Sequence, residues 1–369
     1  MILPLACTCI RLDLGTCTPH RARTPSRSRP LLAILETTDS IDLPLPLTEE
    51  LLDDSESHAT LFEHAMQNAG ATRATRFELR AALRLVRFDD ERRLAAAESR
   101  LRSALSHAYG GQEADRVAAK TLRHAHTQTD EAQAQEYHRW FAPQGYSIAG
   151  SELTADGAVR LLALLRLSPA DTFVDLGCAT GRLTLAAAQL SRCSAVGVEL
   201  SPSRHARGAA ALRRLDELRS APAGGIAAAD AADAAGVAGV ADTAGAAGVA
   251  GAASDSPLGE RVRLLCGDVL EAPLAGATVV WCAVRPSSGR RLGAQLAANL
   301  RAQLPPGGSA RLLLAGFALP PRVEGATLSA AYVFATGGDD AGPEEVVQLY
   351  GGRLGGPSVV LEYRVAARD

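Results

Sequence analysis

The sequence predicts an α/β domain built on a mainly parallel sheet, and three observations predict it. From Gly145 onward, short apolar runs alternate with amphipathic helical segments, the order that places strands side by side with helices crossing over them. Between the first such strand and its helix lies a glycine-bearing turn, FVDLGCATGRLTLAA at 173–187. Three successive strands also end in, or just before, an acid: Asp175, Glu199 and Asp268.

The elements follow in order. Thr154 to Leu167 reads as a helix, with Leu161, Leu162, Leu164 and Leu165 on its buried side and Ser168-Pro169 closing it. Thr172 to Val174 is the first strand, Leu183 to Leu190 a helix, and Ser194 to Val198 a second strand stopping at Glu199. Ser201-Pro202 starts a helix that runs to about Leu218. Val262 to Leu265 is the third strand, with Gly267-Asp268 at its end, and Ala277 to Cys282 the fourth. A helix from Gly289 to Leu304 is closed by Pro305-Pro306-Gly307-Gly308, and Ala310 to Ala315 is the fifth strand. Ser329 to Phe334 and Ser358 to Val365 are β-rich runs suited to antiparallel pairing at the sheet edge.

Three regions frame this domain, which is expected over residues 136–369. Residues 1–42 form a leader: its first 35 residues hold several arginines with Ser, Thr and Pro but one acid, Asp13, which fits a transit segment or a disordered tail. Residues 43–135 are expected to be a helical extension. There Leu79, Leu83 and Val86 recur at i, i+4, i+7, as do Leu94, Ala97, Leu101 and Leu105, with Arg87 to Arg93 as a solvated face. Residues 221–257 are a low-complexity run of Ala and Gly, read as a flexible surface insertion whose length costs little in closure entropy.

Composition narrows the function. A formal net charge of −3 and a pI near 6.3 leave no overall basic field for a nucleic-acid backbone. The seven cysteines are scattered, unlike a secreted disulfide scaffold, and Cys7 and Cys9 have no partners to complete a zinc set. No apolar run is long enough to span a membrane. The chain is therefore expected to be soluble and intracellular. Cys178, near a helix N-terminus, is read as a packing residue rather than a nucleophile, because no histidine stands near it. His124, His126 and His138 lack metal-binding spacing, so no metal is expected. Trp140 and Phe141 suit either core anchoring or shielding of a ligand.

The turn at 173–187 points to a nucleotide-like ligand, because residues without a Cβ let backbone approach a bound molecule. The dinucleotide fingerprint would need glycine at 179, where Ala179 stands, and no phosphate-loop lysine motif lies nearby. Asp175, just before the turn, would repel a pyrophosphate but suits an ammonium and a sulfonium. Glu199 is placed to accept hydrogen bonds from both ribose hydroxyls, and Asp268 to meet an adenine amino group. That set favours S-adenosylmethionine over NAD, with helix capping by each acid as the plainer alternative.

On VDLGCATGRLTL (174–185), GVELSPSRHA (197–206) and RLLCGDVLE (263–271), the chain resembles class I S-adenosylmethionine-dependent methyltransferases from about Tyr146 to Val365. The resemblance implies a Rossmann-like sheet with helices on both faces and antiparallel C-terminal strands. With YSIAGSELT (146–154) and GGRLGGPSVVLEY (351–363), it looks more specifically like the disruptor-of-telomeric-silencing histone H3 lysine methyltransferases. That implies a lid carrying Tyr146, Glu152 at the methionine portion, Asp175 and Gly177 at the methionyl end, Glu199 at the ribose and Asp268 at the adenine, with Gly181 and Val269 also among the cofactor-binding residues.

The sequence departs from that family after the fourth strand, where WCAVRPSSG (281–289) has no asparagine, and near the carboxyl end, where Leu354 and Val360 replace channel aromatics. The expected activity is methyl transfer to a nucleophile, with a lysine of a histone or another protein as acceptor. A small molecule, RNA or another protein side chain is the alternative acceptor, and a non-catalytic cofactor-binding module the alternative role. Arg285, Arg290 and Arg291 stand near the expected acceptor mouth. The compartment follows the same fork: an organelle if the leader is a transit peptide, the nucleus if the acceptor is a histone.

Overall fold

The computed structural model describes residues 43, 46–49, 79–88, 90–110, 135–146, 153–220, 257–284, 289–334 and 359–368. The expected leader, all of the insertion but Pro257, Glu152, Arg285 and Leu354 lie outside them.

Nine strands form one sheet: β1 (Pro46–Glu49), β2 (Leu83–Phe88), β3 (Thr172–Leu176), β4 (Ser194–Glu199), β5 (Val262–Cys266), β6 (Val279–Cys282), β7 (Ser309–Ala315), β8 (Ala326–Phe334) and β9 (Val359–Ala366). Their spatial order is β1-β2-β8-β9-β7-β6-β3-β4-β5. The five strands from β7 to β5 pair in parallel, whereas β9 runs antiparallel to both β7 and β8. From β3 the chain winds outward through β4 to β5 and then returns to β6 on the other side of β3. The carboxyl end of β3 is therefore a topological switch point, the place where open α/β sheets hold ligands.

Each face of the sheet carries its own core, and the period of two along the strands divides them. Val174, Leu176, Val280 and Cys282 point to one face, where they pack with Leu292, Leu296 and Leu300 of helix α6 (Gly289–Gln303). Phe173, Val279 and Trp281 point to the other. That face is covered by α1 (Glu91–Tyr109), α2 (Ala155–Leu165), α3 (Arg182–Ser191), α4 (Pro202–Ser220) and the single turn α5 (Leu258–Arg261). Covering both faces explains why these strands read as nearly continuous apolar runs. The architecture is the Rossmann-like sheet with helices on both faces that the sequence predicts.

Two expectations need correction. The helical periodicity assigned to Leu79, Leu83 and Val86 does not hold past residue 82: Leu83–Phe88 is strand β2, antiparallel to β1 and parallel to β8. Leu83 and Leu85 face the α6 core while Val86 and Phe88 face the other, so the segment is buried on both sides. A short apolar run of this kind carries no decisive period. The region expected as a helical extension thus adds two strands to the sheet. Secondly, β8 and β9 do pair antiparallel, but not at an edge: β9 is inserted between β7 and β8, and β2 and β1 continue the sheet beyond them. The second periodic stretch is a helix, α1, with Leu94, Ala97, Leu101 and Leu105 buried. None of the described helices is long and apolar enough to cross a membrane.

A candidate ligand site at the carboxyl edge of β3, β4 and β5

The loop after β3 is built from three left-handed residues in five, Gly177 (φ +80°), Ala179 (φ +52°) and Gly181 (φ +84°). Glycine adopts that region freely, whereas alanine there costs about 1–2 kcal/mol and needs support from its surroundings. The loop is tied to β4: the N–H groups of Gly177 and Cys178 both donate to the Val198 carbonyl, at 2.8 and 3.0 Å. The Ala179 N–H donates to Oε2 of Glu199 at 2.9 Å. Gly181 then caps α3, its carbonyl accepting from the Leu185 N–H at 2.9 Å. The space beside the Gly177 Cα is not left for a ligand, because a Cβ there would lie 2.2 Å from Cγ2 of Val284. Its glycine is required by backbone conformation and by Val284. Cys178 is buried, its Sγ filling the gap left by Gly197.

Asp175 and Glu199 are 3% and 2% exposed. Asp175 accepts a hydrogen bond from the Thr184 hydroxyl, 2.9 Å away on α3. Glu199 spreads its carboxylate over two backbone amides, Oε2 on Ala179 and Oε1 on Ser201, each at 2.9 Å. Burial pushes its pKa above the ordinary carboxylate value, and this outweighs the opposing pull of Arg204 and of the two amides. Each oxygen still has a second acceptor position, since a carboxylate offers about four.

Asp268 lies just past β5, joined to Glu199 through the Gly267 N–H, which donates to the Glu199 carbonyl at 3.0 Å. Its Oδ1 accepts both the Leu270 N–H (2.9 Å) and the Tyr146 hydroxyl (2.7 Å), so it caps the single 3-10 turn Val269–Glu271. Among the described residues nothing donates to Oδ2. Burial, and then the Asp268 carboxylate, push the Tyr146 phenol well above its ordinary pKa, so the hydroxyl stays a donor. Val269 is buried beneath this turn. From α6, Asn299 holds the Leu270 carbonyl at 2.7 Å and fixes the turn from behind.

Residues 135–146 run across this edge as a strap, including a π-helical turn at Tyr137–Phe141. At one end Tyr146 holds Asp268. At the other, Glu136 accepts hydrogen bonds from the hydroxyls of Ser201 and Ser203 and lies 3.6 Å from Arg204 at the start of α4. Burial raises the Glu136 pKa, but the two hydroxyls and Arg204 more than offset it and leave it below the ordinary value. The Arg204 guanidinium sits 5.1 Å over the Phe141 ring. Trp140 packs against the α6-side core and Phe141 is part of it, so both act as anchors of the strap.

Of the residues singled out in the sequence, Asp175, Gly177, Gly181, Glu199, Asp268, Val269 and Tyr146 come together along this edge, and Glu152 lies outside the described residues. Sequence reasoning missed Glu136 and Arg204. A serine-rich helix start at 201–203 was the available signal, but its carboxylate partner is 65 residues away from Ser201.

No protein-family model matches the chain, and no curated protein matches it. Among solved structures, an RNA methyltransferase from Salinibacter ruber in complex with S-adenosyl-L-homocysteine matches at 19% identity and a TM-score of 0.33, over 57% of this chain and 90% of that one. TrmN from Thermus thermophilus matches at 19% identity and 0.33, over 61% of this chain and 52% of its own. A geranyl diphosphate C-methyltransferase from Streptomyces coelicolor A3(2) matches at 20% identity and 0.27, over 53% and 54%. The chain thus spans about half the length of the last two. Likenesses this distant add nothing to what the strand order already establishes.

Proposed function

We propose that the carboxyl edge of β3, β4 and β5 binds S-adenosylmethionine and that the protein is a methyltransferase. One observation carries the reading: at the switch point, three neighbouring strands present Asp175, Glu199 and Asp268, while the loop they surround carries no phosphate-binding lysine. A buried acidic edge suits a cation and disfavours a phosphate. The donor chemistry fits this ligand: Oδ2 of Asp268 is open, among the described residues, to an amino group, and Glu199 keeps acceptor positions for two ribose hydroxyls. Asp175, Gly177 and Gly181 are assigned to the methionyl end, Val269 to the adenine, and Tyr146 with Glu152 to the cover.

When bound, S-adenosylmethionine supplies a methyl group on a positively charged sulfur, open to in-line attack. The chain's own contribution is then to orient and to exclude water. The strap closes the edge through Glu136 and Tyr146, and the Glu199 carboxylate locks the loop at Ala179. Positioning and desolvation of this kind supply most of the acceleration such a displacement needs.

Calorimetric titration with S-adenosylmethionine and S-adenosylhomocysteine tests the cofactor, and absence of binding by both defeats the reading. Transfer to a histone lysine rests on the sequence resemblance alone. RNA and small molecules are the competing acceptors, and a silent binding module is the competing role. Incubating cell extract with methyl-labelled cofactor and separating protein, RNA and small-molecule fractions decides among them. Label confined to the RNA or metabolite fraction removes the histone assignment, and tight binding with no label in any fraction favours the silent module.

A further inference from the structure

We infer that Tyr109, the last residue of α1, is a positioning residue for the ligand loop, an inference that rests on the cofactor reading above. Tyr109 is 7% exposed and belongs to a helix far earlier in the chain than the loop. Its hydroxyl donates to the Thr180 carbonyl at 2.7 Å, a contact across 71 residues. Its ring carries the Arg182 guanidinium at 5.1 Å. One side chain thus grips the residues on both sides of Gly181, where the loop turns left-handed and α3 begins.

The same carbonyl is crowded from α4. A Cβ at Gly208 would come within 2.6 Å of the Thr180 oxygen, so the helix backbone approaches the loop as closely as a missing side chain permits. The peptide after Thr180 is therefore fixed between Tyr109 and Gly208. One residue earlier stands Ala179, whose left-handed conformation has no intrinsic preference to sustain it and whose N–H holds Glu199. The Thr180 carbonyl lies two peptide planes beyond the Ala179 N–H, so holding it limits how far the left-handed turn at Ala179 can relax and thereby supports the amide that meets the carboxylate assigned to the ribose. Helix α1 is itself anchored at both ends, by the Arg214 guanidinium on the Ala108 carbonyl (2.8 Å) and by Arg160 on Glu91 (2.7 and 2.9 Å). Helix α1, which the sequence places outside the α/β domain, is on this view a working part of the site.

Tyr109→Phe keeps the ring and its stacking on Arg182 and removes the hydroxyl. S-adenosylhomocysteine affinity is expected to fall about threefold to tenfold, the range set by one neutral hydrogen bond. In the ligand-free protein, amide hydrogen exchange at Ala179 should accelerate, while Leu313 in β7 and Leu361 in β9 keep their rates. A merely structural role would speed all three together. Gly208→Ala reaches the same carbonyl from the other side and should give the same split, even though alanine favours the helix. Equal acceleration of all amides, unchanged exchange at Ala179, or unchanged affinity beside a wild type that binds overturns the inference. A wild type that binds neither nucleoside defeats the cofactor reading instead, and the exchange measurement still decides the role of Tyr109.

Discussion

Among the described residues, two clusters of acids are satisfied in opposite ways. Between α1 and α2, Arg160 is sunk into the packing and shared by Glu91, at 2.7 and 2.9 Å, and Asp156, at 2.8 Å, so each acid meets a buried cation directly. At the ends of β4 and β5, Glu199 and Asp268 are met by backbone amides and a tyrosine hydroxyl, and the nearby Arg204 pairs with Glu136. The first arrangement uses its charge to join two helices. The second meets its acids with neutral donors, which suits the ligand edge proposed above.

Four measurements break or sharpen this contrast. Arg160→Met should be the most damaging to stability, on the order of 3 kcal/mol in urea unfolding, because it strands two partly buried acids. The folded fraction should bind the nucleoside normally; a comparable loss of binding would erase the distinction between the two clusters. Glu199→Gln should do the reverse, weakening S-adenosylmethionine about tenfold to a hundredfold, as expected for hydrogen bonds to a charged group. Its unfolding midpoint should move little, since removing a buried charge offsets the amide that loses its acceptor.

The pH dependence gives a smaller but signed effect. Because the folded-state pKa of Glu199 is raised, its contribution to stability is fully present below the ordinary carboxylate value and is lost as pH rises through the raised one. Ligand affinity runs the other way, strengthening with pH over the same window as the carboxylate ionises. Calorimetry and unfolding curves on wild type and Glu199→Gln should differ by those two opposite slopes; parallel slopes would show that Glu199 does not carry the binding charge. Tyr146→Phe should be the mildest, costing about 1 kcal/mol or less in thermal unfolding by freeing one oxygen of Asp268 from its hydroxyl partner.

Much of this was legible from local sequence. The strand-turn-helix at 172–191 reads correctly because apolar run, glycines and helical pattern all agree, and the acids at 175, 199 and 268 stand at or just past strand ends as the sequence places them. What escaped was set by partners distant in the chain. LRLVRF becomes a strand only because β8 and β1 flank it. Glu136, Arg204 and Tyr109 gain their roles from contacts 65 to 71 residues away in sequence, which no local pattern encodes. Gly177 was traced to ligand approach, but its neighbour is Val284, on the strand-end segment of β6.

The position of β9 governs when this molecule can be completed. Residues 359–366 form the bridge between β7 and β8, so β8, β2 and β1 reach the parallel half of the sheet only through them. A nascent chain emerging from the ribosome can wind β3 to β7 in order of synthesis, yet β1 and β2, made hundreds of residues earlier, must wait for the bridge. That flank therefore joins the parallel half of the sheet late, and a chain halted before residue 359 leaves two incomplete half-sheets with bare edges, a substrate for chaperones.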